Sequence, residues 1–97
     1  AFCNKTRIRV SEIKGLKNSL ICNSFHGGPD LKPKFDQLTL IRNLYANSLT
    51  LRRTGSTALD LAFVASGKLD AFLGYGMKVW DFAAGALLVR EAGGFMV

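Results

Sequence analysis

Apolar and polar residues follow two periodicities along this chain, and together they predict short strands alternating with longer helices. Alternating or continuous apolar runs predict strands at Thr6–Val10, Ser19–Cys22, Leu49–Arg52 and Leu69–Leu73. Helices are predicted at Pro33–Ala46, at Thr57–Ala65 and from Trp80 to the Gly93-Gly94 pair, and a last strand begins after Gly94.

From Ser19 onward the predicted order is strand, helix, strand, helix, strand, helix, strand. Such alternation implies right-handed crossovers between parallel strands, with helices covering the sheet. The predicted fold class is therefore α/β, with a mostly parallel sheet flanked by helices. A chain of 97 residues is long enough for one small domain with a modest core.

The last predicted helix has no polar side chain from Phe82 to Val89, which predicts burial of nearly every face. Gly85 in mid-helix costs about 1 kcal/mol relative to alanine, and this suggests that a neighbouring backbone presses close there. Gly93-Gly94 supplies the left-handed residue that ends a helix.

Asp81 stands at the start of this helix, next to Trp80. A carboxylate there is expected to cap the helix by accepting hydrogen bonds from the amides of Ala83 or Ala84. The cap occupies one oxygen and leaves the second for a hard cation. A cap alone and a cap that is also a metal ligand both fit the sequence.

The composition, 48% hydrophobic and 21% charged, is that of a globular protein. No apolar run approaches the roughly 20 residues of a membrane span, and no export leader is visible. Cys3 and Cys22 match no metal-ligand spacing, and they are expected to be reduced core thiols in a cytoplasmic protein.

The net charge of +6 is unevenly distributed. Through Arg53 the chain has ten basic and three acidic residues, a net charge of +7, and the remainder carries −1. A basic half suits phosphate groups or nucleic acid, although a solvated surface or an acidic segment outside the chain would also account for it.

Ligands in α/β sheets bind beyond the carboxyl ends of the strands, and three loops are predicted there: 26–30, 53–57 and 74–81. Gly55-Ser56-Thr57 precedes a helix whose amides suit phosphate or hydroxyl oxygens, or it is an ordinary cap, with Thr57 and Asp60 forming a capping box. One carboxylate cannot form a catalytic divalent-metal centre, so the chain by itself is expected to be inactive.

Two motifs near the end of the sequence are Trp80-Asp81-x-Ala83-Ala84-Gly85 and Glu91-Ala92-Gly93-Gly94. Together they resemble the C-terminal signature of the inositol monophosphatase family. The likeness continues upstream through Arg53–Ala62 and Ser66–Phe72, and it is greatest to the bacterial extragenic-suppressor branch.

The resemblance implies a magnesium-dependent, lithium-sensitive phosphomonoesterase that acts on inositol phosphates or related sugar phosphates. It also implies alternating α-β-α-β-α layers and, as in many members, a homodimer. It assigns the catalytic metal to Asp81. The substrate's hydroxyls are assigned to the turn Gly55, Ser56 and Thr57.

Two departures from the family pattern matter. The other metal ligands of the family lie in an upstream Glu and in an Asp-Pro-(Leu/Ile)-Asp-Gly-Thr motif, neither of which is in this sequence. Residues 1–97 are therefore expected to be the C-terminal α/β domain of a larger enzyme. Inositol enzymes also carry a glutamate six residues before the tryptophan, where this chain has Gly74, and a glycine cannot bind inositol hydroxyls in that way.

The extragenic-suppressor branch is also linked to ribosomal RNA transcription complexes. The alternative is therefore a non-catalytic regulatory module, whose basic first half contributes to contacts with RNA or RNA polymerase.

Overall fold

The computed structural model describes residues 1–25 and 37–97. The elements of this part of the chain, in order, are β1 (Phe2–Cys3), β2 (Thr6–Arg7), β3 (Leu20–Phe25), α1 (Gln37–Asn47), β4 (Thr50–Arg52), α2 (Thr57–Ala65), β5 (Ala71–Tyr75) and α3 (Val79–Glu91). A single 3₁₀ turn at Leu16–Asn18 precedes β3.

The main sheet has the strand order β4–β3–β5, and both pairings are parallel. Ile21 of the central strand pairs with Leu51 on one side and with Ala71 on the other. Asp70 fixes the register at the amino end, because its carboxylate accepts the Leu20 N–H at 2.7 Å while its own N–H donates to the Leu20 carbonyl at 3.0 Å. The α/β prediction with a parallel sheet is confirmed.

The first strand is shorter than the Thr6–Val10 prediction. Thr6 and Arg7 pair antiparallel with Phe2–Cys3 in a small separate hairpin. Beyond it Ile8 and Val10 pack on the core, and the Val10 N–H donates to the Ala92 carbonyl at 3.0 Å. The alternation of apolar residues here therefore reflects contact with the end of α3 and not membership of the sheet.

The core lies between β3 and the two helices that follow β4 and β5. Its buried members are Cys22, Leu61, Val64, Ala65, Leu69, Val89 and Ala92. Gly85 of α3 lies against Leu61 of α2, so the close approach predicted at this glycine is real, although a side chain and not a backbone makes it.

The predicted burial of nearly every face of α3 is wrong. Gly85, Ala86 and Val89 are buried, whereas Trp80 is 80% exposed and Leu87 is 59% exposed. Only the stripe that meets α2 and the core is covered, because the spacing of apolar residues does not specify how many neighbours a helix has.

Helix α1 is amphipathic, but its apolar stripe is only partly covered. Leu40, Ile41 and Leu44 are half-buried, while Leu38 and Tyr45 are exposed. The predicted start of this helix at Pro33 lies outside the described residues.

The C-terminal end of α3 agrees with the sequence prediction. Gly93 has a φ of +97°. The Gly94 N–H donates to the Val89 carbonyl at 2.8 Å, and the Gly93 N–H donates to the Arg90 carbonyl at 3.1 Å. These two bonds are the Schellman arrangement that terminates helices.

Three further predictions need correction. Strand β5 extends through Tyr75, so Gly74 lies in the strand and not in the loop. In the described part of the chain, Phe95–Val97 forms no strand. Both cysteines are free thiols as expected, but only Cys22 is buried, while Cys3 is exposed. None of the helices within the described ranges is long and apolar enough to cross a membrane.

Candidate functional site at the carboxyl edge of the sheet

Strands β3, β4 and β5 run parallel, so their carboxyl ends share one edge. The turn after β4 and the loop after β5 both leave this edge, on opposite sides of the central strand, roughly 10 Å apart at two strand spacings. The predicted loop at 26–30 follows β3 and lies outside the described residues. Two of the three predicted loops are therefore placed where ligands bind in α/β sheets.

Asp81 is the third residue of α3 and is half-buried. Its Oδ2 accepts the Lys78 N–H at 2.9 Å, while the Asp81 N–H donates to the Lys78 carbonyl at 2.9 Å. The expected bonds from Ala83 or Ala84 are therefore wrong, because Asp81 is the third residue of the helix and not its N-cap, and its carboxylate reaches back to the N-cap residue Lys78. The cap itself is real.

The other oxygen of Asp81 makes no hydrogen bond within residues 1–25 and 37–97. It therefore remains available to a cation, and carboxylate oxygen is the donor type that magnesium takes. Across the same residues, no three His, Cys, Asp or Glu side chains come together in a way that could hold a metal. Asp81 fits one position of a metal shell, and these residues do not complete the shell.

The turn at 54–57 is held by its own side chains. Gly55 has a φ of +85°. Ser56 is the N-cap of α2 and its Oγ accepts the Leu59 N–H at 3.3 Å, while the Ser56 N–H donates to the Thr54 Oγ1 at 3.1 Å. The predicted capping box of Thr57 with Asp60 is wrong, because the helix begins at Thr57 and the capping residue precedes it.

The three predicted substrate residues differ in their exposure to solvent. Gly55 and Ser56 are exposed, whereas Thr57 is buried. Since Thr57 opens the helix, its N–H has no carbonyl partner within the helix. The turn and Asp81 make no hydrogen bond with each other among the described residues, and they share only the edge of the sheet.

Asp60 contacts the turn through Thr54, a contact that sequence reasoning missed. It is 0% exposed, and its Oδ1 accepts the Thr54 hydroxyl at 2.6 Å. Burial, followed by the hydrogen bond to Asp60, raises the pKa of the Cys22 thiol to about 11. A signal was present in the sequence, since Asp60 lies at i+3 from Thr57 on the stripe that also holds Leu61 and Val64.

Gly74 lies at the end of β5 and pairs with Ser24 of β3. A Cβ at this position would lie 2.6 Å from the Met77 sulfur and 2.9 Å from Cε1 of Phe72. The side chain of Met77 therefore occupies the space where a residue with a side chain would project. At this position the chain presents a thioether and not a carboxylate.

The family model for the inositol monophosphatase family matches residues 1–97. An inositol-1-monophosphatase from Mesorhizobium japonicum is 45% identical over 97 residues, which cover 99% of this chain and 36% of that protein. The Nus factor SuhB from Pseudomonas aeruginosa is 42% identical, with the same coverage.

Solved structures that resemble this fold come from the same two groups of proteins. The extragenic suppressor protein suhB from Bartonella henselae superimposes with a TM-score of 0.84 at 41% identity, over 97% of this chain and 36% of that one. The inositol monophosphatase from Anabaena gives 0.80 at 34% identity, over 93% and 37%.

The fold and the sequence together define an α/β protein with a parallel sheet, whose carboxyl edge carries the candidate site. The chain belongs to the inositol monophosphatase family, and its relatives include both inositol monophosphatases and SuhB proteins of the extragenic-suppressor branch. It spans 36% of the length of these curated relatives.

Proposed function

We propose that this chain is the C-terminal α/β domain of a magnesium-dependent phosphomonoesterase that hydrolyses inositol phosphate or a related sugar phosphate. The observation that carries the proposal is the geometry of Asp81. One of its oxygens is fixed by the Lys78 N–H, and the other is left for a ligand at the edge of a parallel sheet. Because the chain belongs to the inositol monophosphatase family, we assign that oxygen to the coordination of magnesium.

In this proposal Asp81 holds one magnesium ion, and the remaining ligands come from a part of the enzyme outside these residues. Bound magnesium supplies Lewis-acid polarisation of the phosphate and an activated water. The bond from the Lys78 N–H keeps the carboxylate in one direction, so Asp81 is ordered before the ion binds. Lithium sensitivity, assembly as a homodimer and a cytoplasmic location belong to the same proposal.

The Gly55–Thr57 turn is proposed to bind the hydroxyls of the substrate. Its exposed residues Gly55 and Ser56 lie at the ligand edge, ahead of the helix N-terminus. Because Met77 fills the space beside Gly74, a polyol gains no carboxylate partner at that point. We therefore propose a sugar phosphate that is bound less selectively than inositol phosphate is by enzymes with a glutamate there.

The test uses the full-length gene product and measures phosphate release from inositol 1-phosphate and from other sugar phosphates, with and without magnesium. Asp81→Asn keeps an oxygen that can accept the Lys78 N–H but removes the charge that binds the ion. Loss of residues that only orient metal ligands typically costs 10–100-fold, so loss of a direct ligand is expected to lower kcat by at least about 100-fold. The helix should remain folded, since the charge at its N-terminus contributes only about 0.3–1 kcal/mol.

Asp70→Asn is the matched control. Asp70 also accepts a backbone N–H, that of Leu20, but it lies at the amino end of β5, away from the ligand edge. Its substitution should leave kcat unchanged. Full activity of Asp81→Asn, or phosphate release that is independent of magnesium, would refute the proposal.

A second candidate is a non-catalytic module that binds RNA or RNA polymerase. It is favoured by the naming of relatives as Nus factor SuhB and by the charge of the N-terminal segment. In residues 1–25 the only acid is Glu12, and the basic side chains are exposed. These basic residues are Lys5, Arg7, Arg9, Lys14 and Lys17.

Neutralising three of these residues separates the two candidates. In the full-length protein, alanine at Arg7, Arg9 and Lys14 should weaken RNA binding and reduce its salt dependence by roughly one unit of slope for each phosphate that is no longer neutralised. Phosphatase kinetics should not change. Absence of RNA and polymerase binding by the unmodified protein at low salt would eliminate the second candidate.

A further inference from the structure

Asp60 is a buried carboxylate that the proposed chemistry does not use. It is 0% exposed, and within residues 1–25 and 37–97 its Oδ2 accepts no N–H or O–H hydrogen bond, so the weakly donating Cys22 thiol is the polar group beside the carboxylate. An unpartnered buried oxygen destabilises the folded protein. An aspartate here therefore needs an explanation other than stability.

The hydrogen bonds of the Thr54 hydroxyl indicate a role for Asp60. A threonine hydroxyl has one hydrogen to donate and lone pairs to accept with. Its donation to Asp60 Oδ1 at 2.6 Å is much shorter than the alternative contact with the Ser56 carbonyl at 3.4 Å. The carboxylate therefore takes the hydrogen, and the lone pairs of the hydroxyl face the Ser56 N–H, which donates to it at 3.1 Å.

These hydrogen bonds restrict the conformation of the turn. The Ser56 N–H is bound to Thr54, and the Ser56 Oγ is engaged in capping α2 through the Leu59 N–H. The first of these bonds depends on the orientation of the Thr54 hydroxyl, which its bond to Asp60 sets. Asp60 also contacts the Cys22 thiol of the central strand, so the turn is tied to the rigid sheet.

We propose that Asp60 is a positioning residue for the Gly55–Thr57 turn, acting through the Thr54 hydroxyl to hold the turn in the conformation that receives a hydroxylated substrate. This inference rests on the proposed phosphatase function, because that function makes the turn a substrate site. A rigid scaffold under a binding turn improves substrate affinity rather than the chemical step.

The experiment compares Thr54→Val, Asp60→Leu, the double variant and Thr54→Ser in the full-length gene product. Kinetics are measured with inositol 1-phosphate and with 4-nitrophenyl phosphate, whose leaving group has no aliphatic hydroxyls. Thr54→Val should raise KM for inositol 1-phosphate by about fivefold to tenfold, the effect of losing one or two ordered hydrogen bonds. KM for 4-nitrophenyl phosphate and kcat for both compounds should stay within about twofold, since neither depends on the turn.

Two further results distinguish positioning from a merely structural role. If Asp60 acts through Thr54, Asp60→Leu and the double variant should raise KM no more than Thr54→Val does, since the effects of coupled residues do not add. Thr54→Ser keeps the hydroxyl, so its KM for inositol 1-phosphate should equal that of the unmodified protein. An equal rise in KM for both substrates, or additive effects of the two substitutions, would overturn the proposal.

Hydrogen exchange of the segment containing Ser56 gives a readout that does not require activity. Thr54→Val should accelerate exchange of the Ser56 amide, whereas Thr54→Ser should not. If the unmodified protein releases no phosphate from either compound, the phosphatase proposal fails, and exchange still decides whether Thr54 and Asp60 hold the turn. Unchanged exchange in Thr54→Val would refute the positioning role.

Discussion

A Cβ at Gly85 of α3 would lie 2.5 Å from the Cβ of Leu61 in α2. Helices α2 and α3 therefore pack closely enough at this point to exclude any side chain, and both residues are buried. Because Asp81 lies one turn before Gly85 on the same helix, this contact also sets the position of the candidate metal ligand relative to the sheet.

Gly85→Ala is expected to destabilise the protein even though alanine favours helix. Overpacking a dense core costs about 1–3 kcal/mol, and approaches of 2.5 Å to Leu61 put this site in the upper part of that range, above the roughly 1 kcal/mol gained in helix propensity. Denaturant unfolding of the full-length gene product measures the difference.

Ala84→Gly is the matched control, since Ala84 is the adjacent residue on α3 and is exposed. It should lose about 1 kcal/mol from propensity alone. Adding Leu61→Ala to Gly85→Ala removes the contacts with Cγ and Cδ1 of Leu61 but keeps the contact with its Cβ, so it should relieve part of the clash. The double variant should then lose less stability than the two single losses combined. A stabilising Gly85→Ala would show that the helices can separate without loss.

Gly74→Glu should shift substrate preference toward inositol phosphate. The new side chain must displace Met77, whose flexible thioether can move. A carboxylate that accepts a substrate hydroxyl contributes a charged hydrogen bond, and we expect about a tenfold gain in kcat/KM for inositol 1-phosphate relative to 4-nitrophenyl phosphate.

Gly74→Gln is the control for Gly74→Glu. It displaces Met77 equally and offers a neutral acceptor, so it should give a smaller gain. An unchanged ratio of kcat/KM values in Gly74→Glu would place position 74 outside the substrate site.

Cys22 should make stability depend on pH in the alkaline range. Its folded pKa is raised from 9.0 to about 11, so the unfolded chain loses this proton first as pH rises. The protonated Cys22 thiol therefore contributes to the free energy of unfolding fully below pH 9. This contribution is lost as pH rises toward about 11, and the total loss is about 3 kcal/mol. Urea unfolding of the unmodified protein and of Cys22→Ala between pH 8 and 11 isolates this effect, because the other titrating groups are common to both. Parallel pH profiles would contradict it.

Most of the α/β order could be predicted because each signal was local. The alternation of Leu49 to Arg52 and the helical stripe from Thr57 to Val64 require only near neighbours in sequence. The coverage of α3 was not predictable, because Leu87 is equally apolar whether or not another element lies against it. Hairpin β1–β2 was also missed, since its turn is formed by Asn4 and Lys5 with positive φ, and these residues are not strong turn markers together.

The candidate site was predictable in place but not in detail. Parallel strands indicated the edge, and the family resemblance indicated Asp81. A shift of the helix start to Val79 changed the donor that Asp81 accepts from, because helix ends depend on caps that sequence alone locates only approximately. Asp60 could be predicted only as a capping residue, because its contact with Thr54 depends on how the turn folds back on the helix.

The order β4–β3–β5 has a consequence for synthesis. The central strand emerges first from the ribosome, and its register partners Thr50 and Ala71 follow Leu20 and Ile21 by 30 and 50 residues. At a synthesis rate of about 5–20 residues per second, roughly 3–10 s pass between the synthesis of β3 and that of β5, its second neighbour in the sheet. One edge of this strand has no partner while the first 30 residues are added, and the other edge has none for the whole interval. The strand that organises the finished sheet is thus the one most exposed to wrong partners while the protein is being made.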